Sequence, residues 1–340
     1  MRYAISLLVI ALLLGKSQQS LPKADPTPLG IPFQRYTTED SFGRTITFYL
    51  SAPRKGEDSA RRPVALFIQG SGCQSLFFKH GEWMAGGIHL LLLEEAKGRA
   101  RILVVEKPGV KFLDNPAHFG SAQGASEEFL KEHTLPRWAE ANLAALRAVW
   151  TLPDIDPTRS LVVGHSEGGI VAAMVSAESP RVTHVASLAG GGPTQLFDLA
   201  EIQRSGAGDN PGAAERHLQN IHDEWEKIRK DPDSISKFWM GHPYRRWSSF
   251  LKHSVTEELL RTKAKIYVAQ GTLDTAVSVK AHDVLVAELR ARGRDVTAER
   301  IEGADHGFQA QNMPQGAPDG MQALFGRLLS WFMAAEAKAK

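Results

Sequence analysis

Five short aliphatic runs, VALFIQG, RILVVEKPG, SLVVGHS, VTHVASLAG and KIYVAQG, recur along the chain, and each closes on glycine or polar residues. Runs that are apolar throughout must be covered on both faces, as parallel strands between layers of helices are. The intervals supply helices. EEFLKEHTLPRWAEANLAALRAVW carries apolar residues at spacings of three and four, with Pro136 marking a start or a kink. GGIVAAMVSA follows the third run, Ser278 to Arg292 is amphipathic, and DGMQALFGRLLSWFMAAEAK repeats the pattern near the C-terminus. This alternation predicts an α/β fold with a mostly parallel central sheet flanked by helices. Ahead of it, RYTTEDSFGRTITFYLSAP alternates about a central turn signal, as a β-hairpin does.

The interval from Pro193 to Thr262, about seventy residues, is too long for a simple crossover. It is rich in charge and aromatics and shows no clear strand. We read 193–262 as a helical cap insertion dividing a core of 21–192 and 263–340. Within it, KFWMGHPYRRWSSFL either lines a substrate pocket or forms the insertion's own small core, with arginines stacked on its aromatics.

Arg2, the apolar run AISLLVIALLLG and the polar stretch KSQQS describe a secretory signal peptide over 1–20. The run is short of the ~20 residues that span a bilayer. The expectation is an exported protein, periplasmic or extracellular, with no stable membrane span after cleavage; the alternative is an anchor through an uncleaved N-terminal segment. Cys73 is the single cysteine, so the fold has no intramolecular disulfide to rest on. The formal net charge is +2, and Arg61-Arg62 and Arg245-Arg246 are isolated basic pairs. Nucleic acid is therefore not an expected partner, since phosphate binding needs clustered Lys and Arg.

LVVGHSEGGI, Leu161 to Ile170, holds the principal candidate. A bare G-x-S-x-G arises by chance roughly once in ten chains of this length. Here it follows an apolar strand and enters a helix of small residues, the setting of a nucleophile elbow. A serine hydroxyl needs a base, and the base needs an orienting carboxylate. TLDTAV places Asp274 just beyond the strand KIYVAQG, and RIEGADHGF places His306 after the strand-like VTAERIE. The order is Ser, Asp, His, and each residue sits at the carboxyl end of a strand, where open α/β sheets gather their sites.

These residues make the chain resemble the α/β-hydrolase superfamily, from VALFIQGSG through GHSEGG and GTLDTAV to GADHGF. GHSEGG is closest to the dienelactone-hydrolase and prolyl-oligopeptidase-like branches. The resemblance implies Ser166 as nucleophile, His306 as base and Asp274 as acid, with no metal or organic cofactor. It implies a small-molecule ester as substrate, or alternatively a short peptide; a hydrolase-fold binding protein is the non-catalytic alternative. One oxyanion donor should be the Glu167 N–H. The other should come from Gln69-Gly70-Ser71-Gly72, which stands where related enzymes often have His-Gly; Ser71 N–H is preferred, Gly72 second.

Other residues read more plainly. His165 adjoins the serine at a tight turn, which points the two side chains apart, so it packs. Asp305 is disfavoured as partner of His306 for the same reason. The Glu167 side chain either makes local hydrogen bonds or holds a substrate amine, as a peptidase would require. Cys73, near the oxyanion loop, lacks an elbow and reads as a buried or semi-buried free thiol. His217 and His222 are spaced i, i+5, poor for a metal on one helical face.

Overall fold

The computed structural model describes residues 21–25, 29–53, 61–206, 211–310 and 320–334. The expected leader, 1–20, lies outside them. The anticipated hairpin forms β1 (Phe33–Glu39) and β2 (Thr45–Ser51), paired antiparallel from Phe33–Ser51 to Glu39–Thr45. The first aliphatic run is β3 (Arg62–Ile68). A small hairpin, β4 (Phe77–His80) and β5 (Trp83–Gly86), and α1 (His89–Ala96) lead to β6 (Arg101–Val105). The long helical interval divides into α2 (Glu127–Glu132) and α3 (Leu135–Val149). Pro136 lies in the first turn of α3, where its missing N–H forfeits no helical bond. β7 (Ile155–His165) runs into α4 (Glu167–Glu178), followed by β8 (His184–Leu188).

The long interval then contributes α5 (Gln195–Gly206), α6 (Pro211–Lys230), two-residue strands β9 (Phe238–Trp239) and β10 (His242–Pro243), α7 (Tyr244–Phe250) and α8 (Val255–Arg261). The β9–β10 pair departs from the strandless expectation; two residues are too few to leave a period in sequence. β11 (Lys265–Gly271), α9 (Val279–Ala291), β12 (Val296–Ile301) and α10 (Gly320–Met333) complete the order.

The central sheet runs β1-β2-β6-β3-β7-β8-β11-β12. Only β2 opposes its neighbours; every pairing from β6 to β12 is parallel. Side chains alternate across it. Val64, Leu66 and Ile68 face a core shared with Trp138 and Leu146 of α3, Val171 and Val175 of α4 and Leu285 of α9. Ala65 and Phe67 face the opposite core, with Leu92 of α1 and Phe325, Leu328 and Phe332 of α10. Both faces are dry, which explains why these strands read as unbroken aliphatic runs. Leu199, Ile221, Ile228, Tyr244, Trp247 and Leu251 form a separate small core between α5, α6 and α7. Among the described residues, no helix is long and apolar enough to cross a membrane.

Candidate active site

The carboxyl ends of β3, β7, β11 and β12 open on the same edge of the sheet. Ser166 follows β7 directly, with φ 56° and ψ −126°. A non-glycine residue seldom takes a positive φ, and it persists only where its surroundings enforce it. Here the Ser166 N–H donates to Leu188 O on the neighbouring strand at 2.9 Å. The flanking glycines leave the turn no alternative. A Cβ on Gly164 would lie 1.8 Å from Gly168 O, and one on Gly168 would lie 2.1 Å from Ile68 O. The turn sets the Ser166 hydroxyl above the sheet and against Gly70 of the loop after β3.

Asp274 and His306 come together from the loops after β11 and β12. His306 Nδ1 lies 2.7 Å from Asp274 Oδ2. The same oxygen accepts from Gln270 Nε2 at 2.7 Å, while Oδ1 accepts the Ala276 and Val277 amides at 2.7 and 2.9 Å. Burial opposes charge on Asp274, but its bonds to His306 and these amides outweigh burial and hold the carboxyl below its ordinary range. The Asp274 side chain has no exposed surface, whereas His306 keeps 28 %. Only the imidazole faces the cavities.

Asp305 faces its own loop, its Oδ1 accepting the Gly307 and Gln309 amides at 2.9 Å each. His165 is more than packing: its Nε2 bonds the His306 carbonyl at 2.7 Å. Burial pushes its imidazole down to about 4, so it stays neutral and tethers the His306 loop. Cys73 is a buried thiol against Ser121 O at 3.4 Å, and burial raises its pKa.

The Glu167 side chain answers the question the sequence left open. It enters a fully buried cluster. Oε1 meets His133 Nε2 at 2.9 Å and Lys107 Nζ at 3.2 Å; Oε2 accepts Arg246 Nη2 at 2.8 Å and Nε at 3.1 Å. Burial opposes its charge, but these partners outweigh it and hold the carboxyl well below the ordinary range. Lys107 spends its other protons on Gly70 O at 2.6 Å and Gly72 O at 3.0 Å. Arg246, on α7, also stacks on Trp247 and Phe250, each 4.2 Å from its carbon to the ring centre. The segment contributes to a small core of its own, and Met240, His242, Arg246 and Trp247 also line a cavity. Lys107 and His133 escaped sequence reasoning. The single signal was a lysine two residues beyond the end of an aliphatic strand.

Two cavities meet at Ser166, sharing Ser71 and Gly120 as common wall. One, of about 560 Å³, lies over the loop after β3, β4 and α1, and His306 lines it. The other, of about 230 Å³, lies between Glu167 and α5 and α7.

A strained serine between strand and helix, at the carboxyl edge of an eight-stranded, mostly parallel sheet, defines a class, and the family profile agrees. The alpha/beta hydrolase family model matches residues 65–320, and the chain belongs to that family. Among solved structures, acylaminoacyl peptidase from Pyrococcus horikoshii is similar with a TM-score of 0.60 at 14 % identity, over 91 % of this chain and 44 % of that one. Est1E from Butyrivibrio proteoclasticus, with ferulic acid bound, gives 0.56 at 17 % identity, over 88 % and 99 %. Dipeptidyl peptidase 4 from Porphyromonas gingivalis gives 0.56 at 14 % identity, over 89 % and 35 %. These likenesses are of fold. This chain spans less than half of either peptidase structure and nearly all of the esterase. A comparison with curated protein sequences found no match.

Proposed function

We propose that the chain is an exported serine hydrolase that cleaves carboxylic esters through an acyl-enzyme. The observation that carries this is the Asp274–His306 contact at 2.7 Å, its imidazole lining the cavity that Ser166 also lines. Ser166 Oγ attacks the carbonyl carbon while His306 Nε2 takes its proton. The new C–O bond places negative charge on the carbonyl oxygen, which the Glu167 and Ser71 N–H groups receive. Collapse breaks the bond to the leaving alcohol, which departs with the proton from His306. Water then repeats the sequence on the acyl-enzyme. Asp274 orients the imidazole and stabilises its charged form.

An ester is favoured over an amide because Glu167, the side chain that would have held a substrate amine, is consumed by Lys107, His133 and Arg246. Export rests on Arg2 and the apolar run at 4–15; cell fractionation with N-terminal sequencing of the mature chain tests it. For the chemistry, Ser166→Ala should lower turnover of a short activated ester by a factor of about 10⁴ or more. Wild-type-like turnover in the folded variant would overturn the reading. Failure of a fluorophosphonate to label Ser166 in the wild type would favour a binding protein.

A further inference from the structure

The two cavities are not equivalent toward the proposed chemistry. His306, Gly307 and His165 line the larger one. The smaller has Ala189, Gly190, Ala276 and Val277 along its sheet side and none of those three residues. In the collapse step the leaving oxygen must take a proton from His306. Such a transfer needs the two atoms within about 3 Å of each other, or one water between them. The leaving group therefore lies against His306 and extends into the larger cavity. The acyl substituent, on the opposite side of the same carbon, extends into the smaller.

Size and lining then separate the two halves of the substrate. Phe67, Leu76, Phe78, Ile88, Leu91 and Phe119 make the larger cavity chiefly apolar. Gln69 Nε2, Gln74 Oε1 and His89 Nε2 sit among them, buried and without a hydrogen-bond partner among the described residues. The smaller cavity has a larger polar share in its lining than the larger one. Asp198 Oδ1 and His242 Nδ1 are buried there without a hydrogen-bond partner among the described residues, beside Gln195 and Arg246. A buried polar atom left unmatched is costly, so a ligand that bonds to it is favoured. Burial raises the Asp198 carboxyl to about 8 and depresses the His242 imidazole to about 3. At neutral pH both are therefore chiefly uncharged and suit a neutral partner.

We infer that the site takes esters whose bulk is in the leaving alcohol: a large, mostly apolar alcohol in the larger cavity, and a compact acyl group bearing a neutral hydrogen-bonding substituent in the smaller. This rests on the serine-hydrolase reading above and adds an orientation and a substrate class to it.

The test uses isomers, which hold composition constant while exchanging the two halves. Octyl acetate should exceed ethyl octanoate in kcat/KM by at least tenfold in the wild-type protein. Octyl lactate, with a hydroxyl on a compact acyl group, should exceed octyl propanoate, and Asp198→Leu should remove that preference. Ile88→Trp, which fills the larger cavity, should lower the ratio of octyl acetate to ethyl acetate kcat/KM by about tenfold. Equal or reversed isomer preference, with Ser166 labelled by a fluorophosphonate and short esters turned over, would overturn the orientation and leave the hydrolase reading intact. Absence of both labelling and turnover would overturn the hydrolase reading, and the orientation with it.

Discussion

Lys107 Nζ donates to the Gly70 carbonyl oxygen at 2.6 Å. That carbonyl belongs to the same trans peptide as the Ser71 N–H, so the two groups point in opposite directions. Drawing the carbonyl into the interior aims the Ser71 N–H outward, toward the wall shared by both cavities. Arg246 and Lys107 face the single carboxylate of Glu167, which leaves cationic character beneath this loop. In the proposed mechanism both effects favour an oxyanion that exists only during reaction. Lys107→Met should therefore lower kcat by about tenfold to a hundredfold with little change in KM. Fluorophosphonate labelling of Ser166 should slow in parallel. Steady-state kinetics alongside a thermal melt checks this; a raised KM with unchanged kcat would contradict it.

Asp274 and Asp305 both lie near His306 in the chain or in space, and their substitutions should part sharply. Asp274→Asn removes the acceptor for His306 Nδ1 and favours the wrong tautomer, which should cost on the order of 10³-fold in kcat or more. Asp305→Asn retains an oxygen for the Gly307 and Gln309 amides and should stay within about threefold of wild type. Parallel ester kinetics on the two variants separates these roles.

Arg246 and Glu167 are each buried to about 1 % exposure, and neither tolerates solitude. Arg246→Met should destabilise the fold by about 3–5 kcal/mol, because it strips a guanidinium from a buried carboxylate. Adding Glu167→Leu, which keeps the backbone N–H, should recover much of that loss. Denaturant titration of both singles and the double variant measures the non-additivity.

Glu106 supplies a pH signature in stability. Its carboxyl accepts from Ser75 Oγ, the Leu76 amide and the Tyr49 hydroxyl, and burial raises its pKa from 4.5 to about 8. A folded pKa above the unfolded value contributes stability that is complete below pH 4.5 and declines as pH rises through about 8. Within that window the decline is roughly 1.4 kcal/mol per pH unit at most. Glu106→Gln should therefore gain on the wild type between neutral pH and pH 8. Denaturation midpoints across that range check it; a constant difference would contradict the assignment.

The sheet was legible because burial on both faces writes itself into consecutive residues, as in VALFIQG and SLVVGHS. Ser166, Asp274 and His306 were legible because a strand's carboxyl end is a local event, announced by glycine and polar residues after an aliphatic run. The Glu167 cluster was not. It assembles Lys107, His133, Glu167 and Arg246 from four separate elements, and no period or spacing joins them. Arg246 looked like half of an isolated basic pair, and RILVVEKPG disclosed a strand without disclosing where its lysine would point. The His165 bond to the His306 carbonyl was hidden for the same reason, since its partner lies 141 residues away.

The Arg246–Glu167 contact also bears on how chains of this design diversify. The segment carrying α7 delivers a counterion to the residue directly after Ser166, so it is not an ornament that recombination can exchange freely. A transplanted segment lacking that arginine would leave an orphaned carboxylate at the head of α4. Drift over this edge of the sheet is thus channelled: the walls of the smaller cavity can vary, while the arginine that fastens them is held in place by the residue directly after Ser166.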